Sequence, residues 1–92
     1  MSEVVNNPDA HRYEIHLDGT LAGFADYRVT ADRIVFTHTE VDPGFGGRGV
    51  GSTLVHGALE DVRQQGRKAE SWCSFVDHYA GKHPEYAELF RN

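Results

Sequence analysis

The sequence VDPGFGGRGVGSTL, residues 41–54, joins an apolar run to an amphipathic segment and carries five of the chain's ten glycines. A glycine-rich turn between a strand and a helix leaves several backbone N–H groups free at the positive end of the helix. Such an end suits a phosphate or pyrophosphate group. The stretch therefore predicts a phosphate-containing ligand, and the surrounding chain decides which one.

Two common phosphate-binding motifs can be compared with this loop. A glycine-rich connection that binds no ligand is a further alternative. Gly44, Gly46 and Gly49 satisfy the dinucleotide-binding pattern G-x-G-x-x-G, and Glu70 follows at the spacing of a ribose-binding carboxylate. The chain before the loop, however, has the pattern of antiparallel hairpins, and 92 residues are too few for a doubly wound parallel sheet. A nucleotide P-loop is excluded because no lysine precedes Ser52.

The chain before the loop predicts an antiparallel strand meander. A short strand is expected to start at Val4 and Val5, and apolar and polar residues alternate along residues 13–17, as in a half-buried strand. Asp18 and Gly19 follow, and this dipeptide favours a type I′ hairpin turn because both positions need a positive φ. Residues 20–29 return as a second strand. Its expected buried face consists of Leu21, Ala25, Tyr27 and Val29.

Residues 34–41 are predicted to form the third strand, which ends at Asp42 and Pro43 because proline cannot donate to a strand ladder. Strict alternation divides its side chains between two faces. One face is expected to carry Ile34, Phe36, His38 and Glu40, and the other Val35, Thr37, Thr39 and Val41.

The chain after the loop predicts a β-α-β crossover. A helix is expected over residues 52–65, followed by Gly66 as a natural stop. Its apolar stripe consists of Leu54, Val55, Ala58, Leu59 and Val62. Residues 67–73 are expected to form a strand parallel to the third, since a whole helix separates the two.

Short helices are expected to close the chain. Ser74 and Asp77 form a capping-box pattern that predicts a helix from Phe75 to near Gly81. Pro84 suits the first turn of a last short helix. The elements together predict an α+β fold, in which an antiparallel meander leads into a β-α-β crossover and short C-terminal helices.

Length and composition predict a single globular domain over residues 1–92. The formal net charge of −5 argues against nucleic acid or an anionic membrane as the main partner. No stretch has the pattern of a signal peptide or a transmembrane segment. A single cysteine cannot form an internal disulfide, so we expect a cytoplasmic protein.

Four short motifs connect the glycine loop to the rest of the chain. They are HTEV at residues 38–41, GRGVGS at residues 47–52, CSFV at residues 73–76 and HPEY at residues 83–86. Together they resemble the GNAT N-acetyltransferases, and their order and spacing are similar to the small, truncated, single-domain members of that family. In the family's acyl-coenzyme A loop, Q/R-x-x-G-x-G/A, the Q/R position falls on Gly46, so we expect Arg48 to supply the positive charge instead.

The resemblance implies that acetyl-coenzyme A, or coenzyme A, is the acyl donor or bound ligand. The loop amides would hold its pyrophosphate, and its pantetheine would lie between the strands at residues 34–41 and 67–73. The thioester would then lie near Glu40, Val41 and Cys73. The residues implied in coenzyme A binding are Val41, Gly46, Gly47, Arg48, Gly49, Val50, Gly51, Ser52, Cys73 and His83.

Acetyl transfer to an amine needs a neutral amine, a polarised carbonyl and a proton for the departing thiolate. His38 and Glu40 are candidates for accepting the proton of the amine, with a solvated strand end as the alternative. The resemblance implies that Cys73 lies near the thioester, as nucleophile, acid or neighbour. We favour direct transfer, because no adjacent base for Cys73 is evident. The resemblance also implies that Tyr79 protonates the thiolate, with core packing as the alternative.

In this interpretation the acceptor is a protein lysine or a small amine, and the chain is a monomer or a weak dimer. Two other functions stay open, namely a non-catalytic module that binds coenzyme A or acyl-coenzyme A and an interaction domain with a structural glycine loop. No metal site is predicted, because Cys73, His78 and His83 lack a fourth ligand. Trp72 and Phe75 are expected to pack in the core or at its edge.

Overall fold

A computed structural model describes residues 2–91 of the protein. Its strands form one sheet in the order β1-β2-β3-β4-β5. They are β1 (Ser2–Asn7), β2 (Arg12–Leu17), β3 (Thr20–Thr30), β4 (Arg33–Val41) and β5 (Lys68–Ser71). The helices are α1 (Val50–Gln64) and α2 (Ser74–Lys82), and short 3-10 segments lie at Pro8–Ala10, Pro43–Phe45 and Pro84–Phe90.

The sheet combines an antiparallel meander with one parallel pair. Strands β1 to β4 pair antiparallel in chain order, and β5 pairs parallel to β4 after the α1 crossover. Asp18 and Gly19 connect β2 to β3 with φ values of 50° and 84°, which confirms the predicted hairpin turn. The α+β fold class expected from the sequence is thereby confirmed.

Helix α1 packs on one side of the sheet, which we call the helix face. The helix buries Val50, Gly51, Leu54, Val55, Ala58, Leu59 and Val62. From the sheet, the same core includes Tyr13, Ile15, Ala25, Tyr27, Ile34 and Phe36. Burying one leucine or valine side chain is worth about 1.5–3 kcal/mol, so this layer supplies much of the force that closes the crossover. No helix within residues 2–91 is long and apolar enough to span a membrane.

Two predicted boundaries around the crossover were wrong. Helix α1 begins at Val50 rather than at residue 52, because Gly49 adopts a left-handed conformation and its carbonyl accepts the N–H of Thr53 at 3.0 Å. Strand β5 ends at Ser71 rather than at Cys73. Cys73 instead is the N-cap residue of α2.

The predicted capping box at Ser74 was also wrong. The carbonyl of Cys73 accepts the N–H of Asp77 at 2.9 Å, so α2 already includes Ser74. Within residues 2–91, no side chain caps the start of this helix. The last predicted helix is a 3-10 helix that starts at Pro84, as expected for a proline in a first turn.

Strand β4 contains a β-bulge that overturns the predicted division of its side chains. Asp26 pairs with His38, and the next residue of β3 pairs with Phe36, so the register skips Thr37, whose hydroxyl donates to the Asp26 carbonyl at 3.4 Å. The extra residue shifts the alternation by one position. Ile34 and Phe36 are buried on the helix face. His38 and Glu40, beyond the bulge, turn to the opposite side of the sheet, which we call the open face.

The expected buried face of β3 was only half right. Ala25 and Tyr27 are buried, whereas Leu21 and Val29 are 38% and 50% exposed. An irregularity in the pairing with β2 shifts the alternation near Leu21, and Ala22 is buried in its place. Val29 lies next to the last residue of the strand.

Candidate active site

The glycine-rich loop ends at the N-terminus of α1, where none of the described side chains caps the first turn. Gly47 and Gly49 have φ values of 78° and 69°, and beyond their chain neighbours no described atom lies within 4 Å of the position that a Cβ would take at either residue. Glycine adopts this conformation without steric cost, and the open space lets a ligand reach the backbone. The loop therefore has the geometry of an anion-binding helix terminus.

The other predicted loop residues surround this terminus. Val50, Gly51 and Ser52 form the first turn of α1, and Arg48 is exposed with its guanidinium 5.7 Å from the centre of the Phe45 ring. A Cβ on Gly51 would lie only 2.5 Å from the ring of Phe75. Gly51 therefore also permits α1 to approach α2. Gly46 is the last residue of the turn that follows Pro43, and it is extended.

A gap opens between β4 and β5. Their last paired residues are Phe36 and Ser71, and the N–H of Trp72 donates to the Phe36 carbonyl at 2.8 Å. Strand β4 continues to Val41, whereas the chain after Trp72 turns away into α2. On this side β4 is therefore an unpaired strand edge over its last residues.

The register of β4 determines which backbone groups face the gap. The N–H of Asp42 donates to the Ala22 carbonyl at 2.8 Å, so the backbone of Asp42 faces β3. Backbone groups of an antiparallel strand alternate in direction. The N–H and C=O groups of Thr39 and Val41 consequently face the gap. They could bind an extended ligand as an added strand.

Cys73 lies on the helix-face side of this gap. Its side chain is buried in the core cluster, and its thiol donates to the Thr39 hydroxyl at 3.3 Å. Among the hydrogen bonds of residues 2–91, this is the thiol's only partner, and no histidine or carboxylate contacts it. The structure thus places Cys73 beside the gap without the base that an activated nucleophile needs.

His38 and Glu40 lie on the open-face side. The Nε2 atom of His38 is 3.5 Å from Oε1 of Glu40, and their side chains are 58% and 61% exposed. The ring of His38 is 6.3 Å from the ring of Phe24, centre to centre. The bulge at Thr37 therefore brings a histidine and a neighbouring carboxylate to one mouth of the gap, opposite Cys73.

The structure does not bring Tyr79 and His83 into this group. The Tyr79 ring is buried and stacks on His83 at 4.0 Å, and the Tyr79 hydroxyl is 3.5 Å from Nδ1 of His56 on α1. Burial and then the nearby Glu85 raise the pKa of Tyr79. His83 is the N-cap residue of the last 3-10 helix, and its Nδ1 is 3.2 Å from a Glu85 oxygen.

A polar cluster between α1 and the C-terminal helices escaped the sequence analysis. The Tyr86 hydroxyl donates to Glu60 at 2.6 Å and is 2.8 Å from Nδ1 of His56. Because that hydroxyl has a single proton, Nδ1 of His56 must donate to the Tyr86 oxygen. The hydrogen bond from Tyr86 holds the pKa of Glu60 below its ordinary value. The signal was the spacing of His56 and Glu60 by one helical turn, next to the buried stripe.

Trp72 and Phe75, expected in the core or at its edge, are exposed. Trp72 is 70% exposed and Phe75 is 40% exposed. The indole N–H of Trp72 donates to Glu70 at 2.7 Å. Within residues 2–91 no group of three histidine, cysteine, aspartate or glutamate side chains lies close enough to hold a metal ion.

Residues 12–89 match a family model described as GCN5-related N-acetyl-transferase. The chain is also 34% identical over 63 residues to a Bacillus subtilis (strain 168) protein with the provisional name ribosomal protein bS18-alanine N-acetyltransferase. That match covers 68% of this chain but only 42% of the relative, so the chain spans less than half of that protein's length.

Solved structures show the same fold. A provisionally assigned GCN5-like N-acetyltransferase from Staphylococcus aureus matches with a TM-score of 0.73 and 26% identity, over 98% of this chain and 88% of that one. The PaiA N-acetyltransferase of Thermoplasma acidophilum, solved in complex with coenzyme A, matches with a TM-score of 0.60 over 80% of this chain and 48% of that one. At 16% identity, the second match shows the fold alone.

Proposed function

The chain belongs to the GCN5-related N-acetyltransferases, and on that premise we propose that it transfers an acetyl group from acetyl-coenzyme A to an amine. The observation that carries the proposal is the gap between β4 and β5. The backbone groups of Thr39 and Val41 that face this gap match the amide-containing pantetheine arm, which binds as an added strand. Acetyl-coenzyme A, when bound, supplies the activated acetyl group.

The glycine loop fits the other end of the same ligand. The N–H groups of Gly47, Gly49 and the first turn of α1 would hold the pyrophosphate at the positive end of the helix. The exposed guanidinium of Arg48 adds a positive charge beside them. The loop lies directly after the unpaired edge of β4, so one extended ligand reaches from the loop into the gap.

His38 acts as the base in this proposal, and Glu40 orients it. An amine that enters from the open face meets His38 before it reaches the carbonyl in the gap. As the C–N bond forms and the C–S bond breaks, His38 would take the proton that the attacking nitrogen loses, and the nearby carboxylate of Glu40 would stabilise the imidazolium. The departing sulfur of coenzyme A would take its proton from that imidazolium or from solvent at the exposed mouth of the gap. Cys73 is a neighbour of the reacting atoms on the opposite side. Tyr79 packs the core, because its hydroxyl is directed at His56.

The proposal is less specific about the acceptor, the location and the oligomeric state. The acceptor is a protein lysine or a small amine, and the protein acts in the cytoplasm as a monomer or a weak dimer. The single cysteine and the net charge of −5 are compatible with both statements. A non-catalytic coenzyme A-binding module differs from this proposal in one respect, which is that no amine would be acetylated.

Paired variants at Gly47 test the binding of acetyl-coenzyme A. Gly47→Asp and Gly47→Asn have side chains of similar size and the same backbone strain, and both residue types tolerate a left-handed conformation better than most. They differ in charge, and only the aspartate would repel a pyrophosphate. At a ligand concentration of a hundred times Kd, acetyl-coenzyme A should add about 2.7 kcal/mol to the stability of the wild type.

Thermal melting measures this effect, since 1 kcal/mol corresponds to about 4–8 °C for a domain of this size. We expect Gly47→Asn to keep most of the ligand-induced rise in melting temperature and Gly47→Asp to lose it. An equal rise in both variants would show that the loop does not hold the phosphates. If acetyl-coenzyme A does not raise the melting temperature of the wild type, it is not the ligand of this protein and the proposed acyl donor is wrong.

A further inference from the structure

The gap opens onto the open face between Trp72 and His38. Trp72 directly follows β5 and still bonds β4 through its N–H, so the alternation of β5 places its side chain on the open face with Glu70. The bond from its indole N–H to the Glu70 carboxylate agrees with this placement. His38 flanks the gap from β4. An acceptor that approaches from the open face therefore passes between the indole of Trp72 and the imidazole of His38.

The surroundings of this entrance are partly aromatic. The 70% exposed indole of Trp72 is held by its hydrogen bond, so it would lose little side-chain freedom on contact with a partner. A groove of about 350 Å³ lies on the other side of His38, and Leu21, Phe24 and Glu40 contribute to its lining. Exposed tryptophan and apolar grooves of this kind are typical of contact surfaces rather than of solvated sheet faces.

The charge around the entrance is acidic. The carboxylates that alternate onto the open face near the gap are those of Asp26, Glu40 and Glu70. The basic side chains of the same face are those of Arg12, Arg28, Arg33 and Lys68. Arg12 bonds Glu14 at 2.8 Å, and Arg33 and Lys68 pair at the end of β4 and β5 away from the gap. Arg28 lies in the same row as Glu70, so three carboxylates face one guanidinium near the entrance. The entrance is thus complementary to a positively charged ligand.

We propose that the open face around Trp72 docks a positively charged polypeptide segment and presents one of its lysines to the gap. This inference rests on the proposed acetyl transfer and narrows its acceptor. Trp72 would anchor the segment through its indole face, which attracts lysine and arginine cations. Asp26, Glu40 and Glu70 would draw the flanking basic residues.

A free small amine fits this surface less well. Small ligands bind in concave sites that enclose most of their surface, whereas the side chains of His38 and Glu40 at the entrance are more than half exposed. A second copy of the chain is also disfavoured, because its net charge of −5 would bring like charges together. A basic segment gains from both the charge and the extended contact area.

The fluorescence of Trp72 reports docking directly, because it is the chain's single tryptophan. The probes are two peptides with blocked ends and one lysine, which is flanked by arginines in the first and by glutamates in the second. With coenzyme A present, we expect the arginine peptide to change the emission saturably, and added salt to weaken its binding. The glutamate peptide should leave the emission unchanged.

Turnover with acetyl-coenzyme A gives the second readout. We expect Trp72→Ala to raise the KM for the arginine peptide at least about tenfold, which corresponds to about 1.4 kcal/mol. Trp72→Phe should keep most of the affinity, and Val29→Ala, which removes exposed apolar surface away from the gap, should leave KM unchanged. Melting with acetyl-coenzyme A verifies that each variant folds and binds the donor.

The outcomes separate this inference from the proposed function. Equal KM values for the two peptides, or faster turnover of a free small amine, would overturn the docking surface and leave acetyl transfer standing. Saturable binding of the arginine peptide without acetylation of any amine would support the docking surface and refute the transfer. If the arginine peptide neither binds saturably nor is acetylated, and no other amine is acetylated, the docking surface and the acetyl transfer are both refuted.

Discussion

His38 and Cys73 lie on opposite faces of the same gap, and this arrangement separates two routes for the acetyl group. In the direct route the amine attacks the thioester while His38 takes its proton. In the covalent route the Cys73 thiolate would first accept the acetyl group. The Cys73 thiol has the Thr39 hydroxyl as its partner, which cannot act as a base at neutral pH. The geometry favours the direct route.

Variants at these two residues should therefore differ. Cys73→Ser should keep donor binding and much of the turnover, whereas His38→Ala should lower kcat by about 10²–10⁴ through loss of the base. Release of free coenzyme A measures both, and His78→Ala, an exposed histidine on α2, is the control. An acetyl mass on the Cys73 peptide that passes to the amine would contradict the direct route. Full activity of His38→Ala would remove His38 from the mechanism.

At the level of the elements, Tyr86 ties the C-terminal 3-10 helix to α1. Its hydroxyl bonds Glu60 and His56, while the hydroxyl of Tyr79 makes only a long contact with the same histidine. Burial, followed by the hydrogen bond to Glu60, raises the pKa of Tyr86, so its hydroxyl stays a donor at neutral pH. The cluster therefore braces the end of the chain against the crossover helix.

Tyr86→Phe should test this bracing. The substitution keeps the ring but removes the hydroxyl that bonds both Glu60 and His56, while Arg63 still donates to Glu60. We therefore expect the free energy of unfolding to fall by about 1–3 kcal/mol. Tyr79→Phe is the matched control and should cost clearly less, because its contact with His56 is 3.5 Å long. Urea unfolding compares the two variants. Equal losses would show that the hydroxyl of Tyr86 has no special part in the bracing.

At the level of the whole molecule, Glu14 links the outer strands of the sheet on the open face. It is 8% exposed, and its carboxylate accepts from Arg12 at 2.8 Å and Asn7 at 3.1 Å and lies 3.1 Å from His16. The hydrogen bond from Arg12, followed by that from His16, lowers the pKa of Glu14 to about 2. Glu14 therefore binds a proton more readily in the unfolded chain than in the folded one.

This difference predicts an acid-dependent loss of stability. Since the folded pKa of Glu14 is depressed, its contribution is complete above the unfolded pKa of about 4.3 and disappears as the pH falls towards 2. Glu14→Gln should lower stability at pH 7 by about 2 kcal/mol and flatten the decline below pH 5. Urea unfolding at a series of pH values measures this. Parallel declines in the two proteins would exclude Glu14 as a source of the acid sensitivity.

Local chemistry explains which parts of this molecule could be predicted. The hairpin turn at Asp18 and Gly19 follows from residues that accept a positive φ, and the glycine loop follows from the spacing of its own residues. Apolar periodicity identified the strands and the helix of the crossover. The free N–H groups that motivate the proposed phosphate site needed no knowledge of distant contacts, because a helix terminus carries them wherever it lies.

The tertiary structure alone decided how the candidate site is assembled. The register with β3 skips Thr37, and this single extra residue turns His38 and Glu40 away from the core. The turn after Ser71 leaves Trp72 exposed beside the gap. Contacts with α1 then direct the Tyr79 hydroxyl to His56 instead of to the gap. Each outcome depends on a partner far away in the chain, so strand alternation and local motifs by themselves could not reveal it.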